Sequence, residues 1–179
     1  MDRFQFIESV FVYYVTFTVV DWLPIFIKPD AIDVVNQSLL YCIETKGLKN
    51  HGYVIMPNHM HAIVSDKDYE NKRLHSTLSE FRTFTGNRLA KLIDNHYPAS
   101  WSQIIRNTAE SDRARRFWQS GWHAEAVATR EFFEQKLNYI HHNPVRAGLV
   151  DLPEYWMHSS ACYWLLNEPC PVLISDFIV

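Results

Sequence analysis

Two short apolar runs, His51 to Met56 and His59 to Ser65, are separated only by Pro57-Asn58. Runs of that length are strand-sized, and a two-residue connector suited to a tight turn joins strands only as an antiparallel hairpin. The rest of the chain has to be arranged around that reversal. Ser9 to Val19 is rich in Val, Phe, Tyr and Thr, with Asp21 and Pro24 close behind, and reads as a first strand followed by a turn. Asp30 can cap a helix running to Lys46, in which Ile32, Val35, Leu39 and Ile43 recur at helical spacing and Gly47 supplies the stop.

Beyond the hairpin, Lys72 to His96 is helical again, with Leu74, Leu78, Phe81, Leu89, Leu92 and Ile93 on or near one stripe and Gly86 weakening the middle. The polar stretch Pro98 to Arg116 reads as a loop, and Phe117 to Val127, aromatic and broken by Gly121, as a fourth strand. Thr129 fits the N-cap of a last helix, with Glu131 and Glu134 in its first turns, and Pro144 stops it near Asn143. Strand, helix, strand, strand, helix, strand is the split βαβ plan. The expectation is an α+β, ferredoxin-like sandwich: an antiparallel sheet with helices on one face, plus an added helix at the end. Residues 1–150 form the domain. Residues 151–179, with Pro153, Pro169 and Pro171, form a tail packed on the domain or on a partner.

A chain of 179 residues has the size of one domain, and its 6 Trp, 9 Tyr and 11 Phe supply ample core, which excludes wholesale disorder. The longest weakly polar run, Ser9 to Val20, is shorter than the roughly 20 apolar residues of a membrane span, and Asp2, Arg3 and Glu8 do not suit a secretion leader. Cys42, Cys162 and Cys170 are odd in number and unclustered, so neither a disulfide framework nor a thiolate zinc site is expected, and the setting is reducing and cytoplasmic. The formal net charge of −3 conceals a gradient: residues 72 to 116 carry +5 and the remainder −8. A basic middle can line an anionic ligand or be an ordinary solvated helix face.

Two clusters carry chemistry. His59 and His61 are two apart in an apolar run, so in a strand both imidazoles project to one face while Met60 points away. They form a two-point metal ligand, or else a hydrogen-bonded sheet residue beside a surface one. In the last helix Phe133, Leu137 and Ile140 make the buried stripe, which leaves Lys136, Tyr139 and Asn143 as a polar row on its flank. If that row packs over the face bearing the histidines, two imidazoles and the Asn143 oxygen can bind one divalent ion beside the Tyr139 hydroxyl. A phenol, with a reference pKa of about 10, is mostly protonated at neutral pH and attacks only with help from an ion that polarises the electrophile or a group that takes the proton. A phosphodiester suits such a set best, because its developing negative charge can be absorbed. His141 and His142 are turned away from the row by helical geometry.

Three blocks of the chain resemble the single-tyrosine HUH transposases, in particular their REP-associated tyrosine transposase branch. They are Tyr14-Val15-Thr16-Phe17 with Pro24-Ile25-Phe26; Tyr53 through Val64, containing Pro57-Asn58-His59-Met60-His61; and Phe117-Trp118-Gln119 through Tyr139-Ile140-His141-His142-Asn143-Pro144-Val145-Arg146 to Val150. The resemblance spans about Tyr13 to Ser160. It implies a catalytic domain in residues 1–150, with His59, His61 and Asn143 as metal ligands, Mg or Mn as the ion, and Tyr139 as the nucleophile. It further implies a DNA transposase that nicks and rejoins hairpin-bearing single-stranded DNA through a 5′-phosphotyrosine intermediate, acting in the cytoplasm, at the nucleoid when bound to DNA, as a monomer or homodimer. The insertion-sequence relatives carry Gln where this chain has Asn143. With the resemblance in view, Arg82, Arg88, Lys91, Arg113, Arg115 and Arg116 are candidate phosphate contacts, with Lys136 and Arg146 nearer the chemistry. Two alternatives share the resemblance: a domesticated hairpin-binding protein that no longer cleaves, and a nuclease of the replication-initiator or relaxase kind.

Overall fold

The computed structural model describes residues 10–108, 115–121 and 123–177. Its elements in chain order are β1 (Val12–Thr18), two 3-10 turns (Val20–Trp22 and Ile25–Ile27), α1 (Pro29–Lys46), β2 (Leu48–Met56), β3 (His59–Asp66), α2 (Asn71–His96), α3 (Ala99–Asn107), β4 (His123–Ala126), α4 (Arg130–His141), α5 (Asn143–Arg146), a 3-10 turn at Pro153–Tyr155, and α6 (Ala161–Leu166). The four strands form one antiparallel sheet in the order β2-β3-β1-β4. This is the split βαβ arrangement expected from the element order.

Alternation along the strands divides the sheet into two apolar layers. Tyr13, Val15 and Phe17 of β1, with Met60, Ala62 and Val64 of β3, pack against α1 and α2. Tyr14, Val54 and Ile63 point the other way and pack against Phe133, Leu137 and Ile140 of α4. The added helix therefore covers the face that the first two helices leave open. Gly47, at φ 73°, ends α1 in the left-handed conformation that the sequence suggested, and the Thr129 side chain accepts from the Phe132 N–H at 3.2 Å to cap α4.

Several local expectations are corrected. Asp30 is not the cap of α1: Lys28 occupies that position and Pro29 starts the helix, where a proline loses no intrahelical hydrogen bond. The stretch from Pro98 is not wholly a loop, because Trp101, Ile104 and Ile105 give α3 a short apolar side that docks on the α1–α2 layer. Of the strand expected over Phe117 to Val127, among the described residues only His123–Ala126 pairs with β1, while Trp118 makes a single bridge to Val19. Gly121, at φ 66°, separates the two. Pro144 does not end the helical path. α4 closes at His141 and Pro144 sits in the first turn of α5, so Asn143 is the first residue of a new helix.

Residues after Val150 run back along the free edge of β2. Ile55 N–H donates to His158 O, Ser160 N–H to Tyr53 O, and Ser175 N–H to Asn50 O. Phe177 stacks on Phe133 at 3.8 Å between ring centres, and Val172 is fully buried. Cys42, Cys162 and Cys170 are free thiols. Among the described residues no helix is long and apolar enough to cross a membrane.

Candidate active site

The site lies on the α4 side of the sheet, where β1 and β3 run side by side. Thr16 is paired with His61 and Thr18 with His59, and Tyr14 stands one pleat further along on the same face. Met60, between the histidines, is buried in the opposite layer, as two-residue periodicity requires. The imidazole rings of His59 and His61 sit 4.8 Å apart, centre to centre.

Neighbours fix which nitrogen of each ring is available. His59 Nδ1 lies 2.7 Å from Asn58 Oδ1, a carbonyl that only accepts, so Nδ1 carries the proton and Nε2 keeps its lone pair. His61 Nδ1 is 2.7 Å from Tyr14 Oη and 2.8 Å from Thr16 Oγ1. Both hydroxyls crowd Nδ1, and in the tautomer that carries its proton there Nε2 is the ligating nitrogen. Burial pushes the Tyr14 phenol far above its ordinary range, so its oxygen stays protonated at neutral pH. Burial likewise lowers His59 to about 4. His61 falls to about 3, through burial first and then the neighbouring His59 and the charges of Lys136 and Arg146. Both imidazoles are neutral at pH 7, the state in which they coordinate metals.

Tyr139 reaches this pair from α4. Its ring centre is 5.9 Å from that of His61 and 6.4 Å, edge to face, from that of Tyr14, and the side chain is 46% exposed. Gly52 lets the helix come this close: a Cβ there would lie 2.6 Å from Leu137 Cδ1 and 3.3 Å from Ile140 Cδ1. Arg146, carried back by α5, lays its guanidinium 4.3 Å over the Tyr139 ring and donates to the Tyr139 carbonyl at 2.8 Å. Lys136 packs its ammonium 4.6 Å over the Tyr14 ring and pairs with Glu125 at 2.5 Å. Asn143 is half-buried at the start of α5, and its amide makes no side-chain hydrogen bond among the described residues. His141 turns inward to Ser160 Oγ at 2.8 Å, and His142 bonds the Asn138 carbonyl.

The other basic candidates among the described residues do not join this cluster. Arg82 lies in the α1–α2 layer, donating to the Gln119 carbonyl at 2.6 Å and packing over Phe17. Arg88 and Lys91 are exposed on α2, with Arg88 against Phe84. Arg115 pairs with Asp94, tying the segment after α3 to α2. Arg116 is half-buried nearby, and Arg113 falls outside the described residues. Sequence reasoning gave no role to Tyr14, Thr16, Asn58 or Gly52. The polar alternation Tyr14, Thr16, Thr18 in an otherwise apolar strand was the available signal for the first two.

No group of three His, Cys, Asp or Glu side chains gathers among the described residues. Two adjacent imidazoles with both Nε2 atoms free of protein partners are donors of a type that fits a divalent ion.

No family model matches the chain, and no curated protein does. Among solved structures, that of a REP-associated tyrosine transposase bound to a REP hairpin aligns with a TM-score of 0.63 at 14% identity, over 99% of this chain and 94% of that one. A candidate transposase from Deinococcus radiodurans R1 aligns with a TM-score of 0.49 at 10% identity, over 79% of this chain and 97% of that one. From end to end, the chain carries the α+β fold of the REP-associated tyrosine transposase.

Proposed function

We propose that the protein is a metal-dependent DNA transposase that cuts and rejoins hairpin-bearing single-stranded DNA, with Tyr139 as nucleophile. The observation that carries the reading is the meeting of an exposed tyrosine with two neutral histidines whose Nδ1 atoms are both engaged, on the fold of a REP-associated tyrosine transposase. His59, His61 and Asn143 would hold the ion, Mg or Mn. When bound, it would polarise a phosphodiester and absorb the charge that develops on it.

The chain's own residues do the rest. Tyr139 Oη attacks phosphorus, a Tyr–O–P bond forms, and the bond to the 3′-oxygen breaks. The phenolic proton is lost to solvent and the 3′-oxygen leaves as a hydroxyl. The 5′-phosphotyrosine conserves the energy of the broken bond, so attack by a 3′-hydroxyl rejoins strands and regenerates the tyrosine. Arg146 holds the nucleophile's ring and its carbonyl, Lys136 places a cation over Tyr14, and Tyr14 and Thr16 orient His61. Arg82, Arg88, Lys91, Arg115 and Arg116, together with Arg113, are proposed as contacts for DNA extending beyond the site.

The test is covalent trapping. End-labelled hairpin-bearing single-stranded DNA is incubated with the protein and Mn or Mg, then resolved under denaturing conditions. A labelled protein band that needs both the ion and Tyr139 is expected. Binding without any adduct would instead favour a hairpin-binding protein, and a band that persists in Tyr139→Phe would assign the nucleophile elsewhere.

A further inference from the structure

Among the described residues Trp22 stands apart from the other tryptophans. Trp118, Trp156 and Trp164 each donate their indole N–H to a protein oxygen, at 3.1, 3.0 and 2.9 Å, and Trp101 stacks on Tyr97. Trp22 is 56% exposed and belongs to neither apolar layer. Its backbone is also unusual. Asp21 and Trp22 are consecutive non-glycine residues in the left-handed region, at φ 50° and 54°. For a bulky side chain this is a rare and costly conformation, kept where the surroundings impose it and concentrated at functional sites. Here they do impose it: Val19 N–H bonds to Asn58 O, Val20 N–H to Phe117 O and Leu23 N–H to Val20 O, with Val19, Val20 and Leu23 all buried. The strained turn contributes nothing to the core through its indole. What it achieves is to set the indole against His59, edge to face, with ring centres 5.9 Å apart.

We propose that Trp22 is the stacking platform for an unpaired base of the DNA strand that Tyr139 attacks. The assignment rests on the function proposed above and names the part of the substrate it leaves open. The rings form a continuous row in which Trp22 and Tyr139 flank the histidines: Trp22 to His59 at 5.9 Å, His59 to His61 at 4.8 Å, His61 to Tyr139 at 5.9 Å. A strand whose phosphate lies over the histidines therefore passes Trp22 within a few nucleotides, at about 3.4 Å per stacked nucleotide. An exposed indole offers a π-face, which an unpaired base of any identity can cover and a base inside a duplex cannot. Arg146 at one end of the row and Trp22 at the other thus hold the phosphate side and the base side of one single strand.

The experiment uses the full-length chain with Tyr139→Phe to prevent covalent capture, and the hairpin oligonucleotide that the wild type cuts. Binding is followed by fluorescence anisotropy for Trp22, Trp22→Phe and Trp22→Gly, with single abasic sites placed at each of several positions on either side of the cut. Trp22→Gly relieves the left-handed backbone, so its melting temperature is expected to be unchanged or higher, while binding of the single-stranded flank weakens by about 5- to 150-fold. The isolated hairpin binds as before. One abasic position costs the Trp22 protein a similar factor and costs the Trp22→Gly protein nothing, and Trp22→Phe retains most of the effect. Equal affinity of Trp22→Gly for the flanked oligonucleotide, or an abasic profile that does not depend on residue 22, would overturn the platform while leaving the nuclease intact. Failure of the wild type to form any Tyr139-dependent adduct would remove both.

Discussion

Substituting Gly52 by alanine tests whether the distance between α4 and the sheet sets the chemistry. In an ordinary strand the change would help, since glycine weakens a strand by roughly 0.5–1 kcal/mol relative to alanine. Here the added methyl would lie 2.6 Å from Leu137 Cδ1 and 3.3 Å from Ile140 Cδ1. Carbon atoms pack best at about 3.5–4.0 Å, so the Leu137 methyl or the helix itself has to move by about 1 Å. Leu137 is buried between Phe133 and Ile140, which leaves little room for a new rotamer, and overpacking of this kind costs about 1–3 kcal/mol. Tyr139 rides two residues further along the same helix, and a displacement of about 1 Å can reduce a rate by about 100-fold. The expected result for Gly52→Ala is a loss of about 1–3 kcal/mol in urea unfolding. Its single-turnover adduct formation should fall by ten-fold or more, with DNA affinity little changed. Adding Leu137→Val removes the colliding methyl and should restore part of both, as a non-additive double-mutant cycle. If Gly52→Ala is more stable than wild type and reacts at the wild-type rate, the close approach at Gly52 does not position the tyrosine.

Tyr14→Phe combined with Thr16→Val removes both oxygen contacts to His61 Nδ1, and Mn affinity measured by calorimetry should drop about 10- to 100-fold, the usual cost of losing the partner that orients a ligating imidazole. His51 is buried and neutral between Ser65 Oγ and the Ser175 carbonyl, and burial holds its pKa below the ordinary value. A group depressed in the folded state contributes stability that is complete above its unfolded pKa, near 6.5, and is lost as pH falls below it, so His51 alone should account for up to about 1.4 kcal/mol of stability per pH unit there, beside the contributions of His59, His61 and His141, and His51→Gln should lower the slope by that share. Phe177→Ala removes the parallel stack on Phe133, and should cost about 1–2 kcal/mol and raise amide exchange in α4.

The alternation of strands and helices was readable because each element keeps one period over enough residues, and so was the shared face of His59 and His61, which follows from spacing alone. The buried stripe of α4 came through for the same reason. What failed were features whose cause is not local. Pro144 reads as a stop in one dimension, yet at the first turn of α5 it breaks no hydrogen bond. α3 hides in a polar stretch because only Trp101, Ile104 and Ile105 give its inward side an apolar signal, and Ser102, also buried there, gives none. The orienting oxygens of Tyr14 and Thr16 lie 47 and 45 residues from His61 in sequence and meet it only through strand register. Counting charges put Arg82, Arg88 and Lys91 in one basic segment but says nothing of which face of the sheet their helix covers.

The backbone pairing of β2 with the segments around His158, Ser160 and Ser175 has a consequence for assembly. An open sheet ordinarily offers its outermost strand as a template on which another strand can add, from a second copy or from a misfolded chain. On this side the template is already occupied by the protein's own C-terminal segment. A second copy cannot extend the sheet across β2 without first stripping that segment away, so a dimer built on this side has to join helices and loops and leave the strands alone.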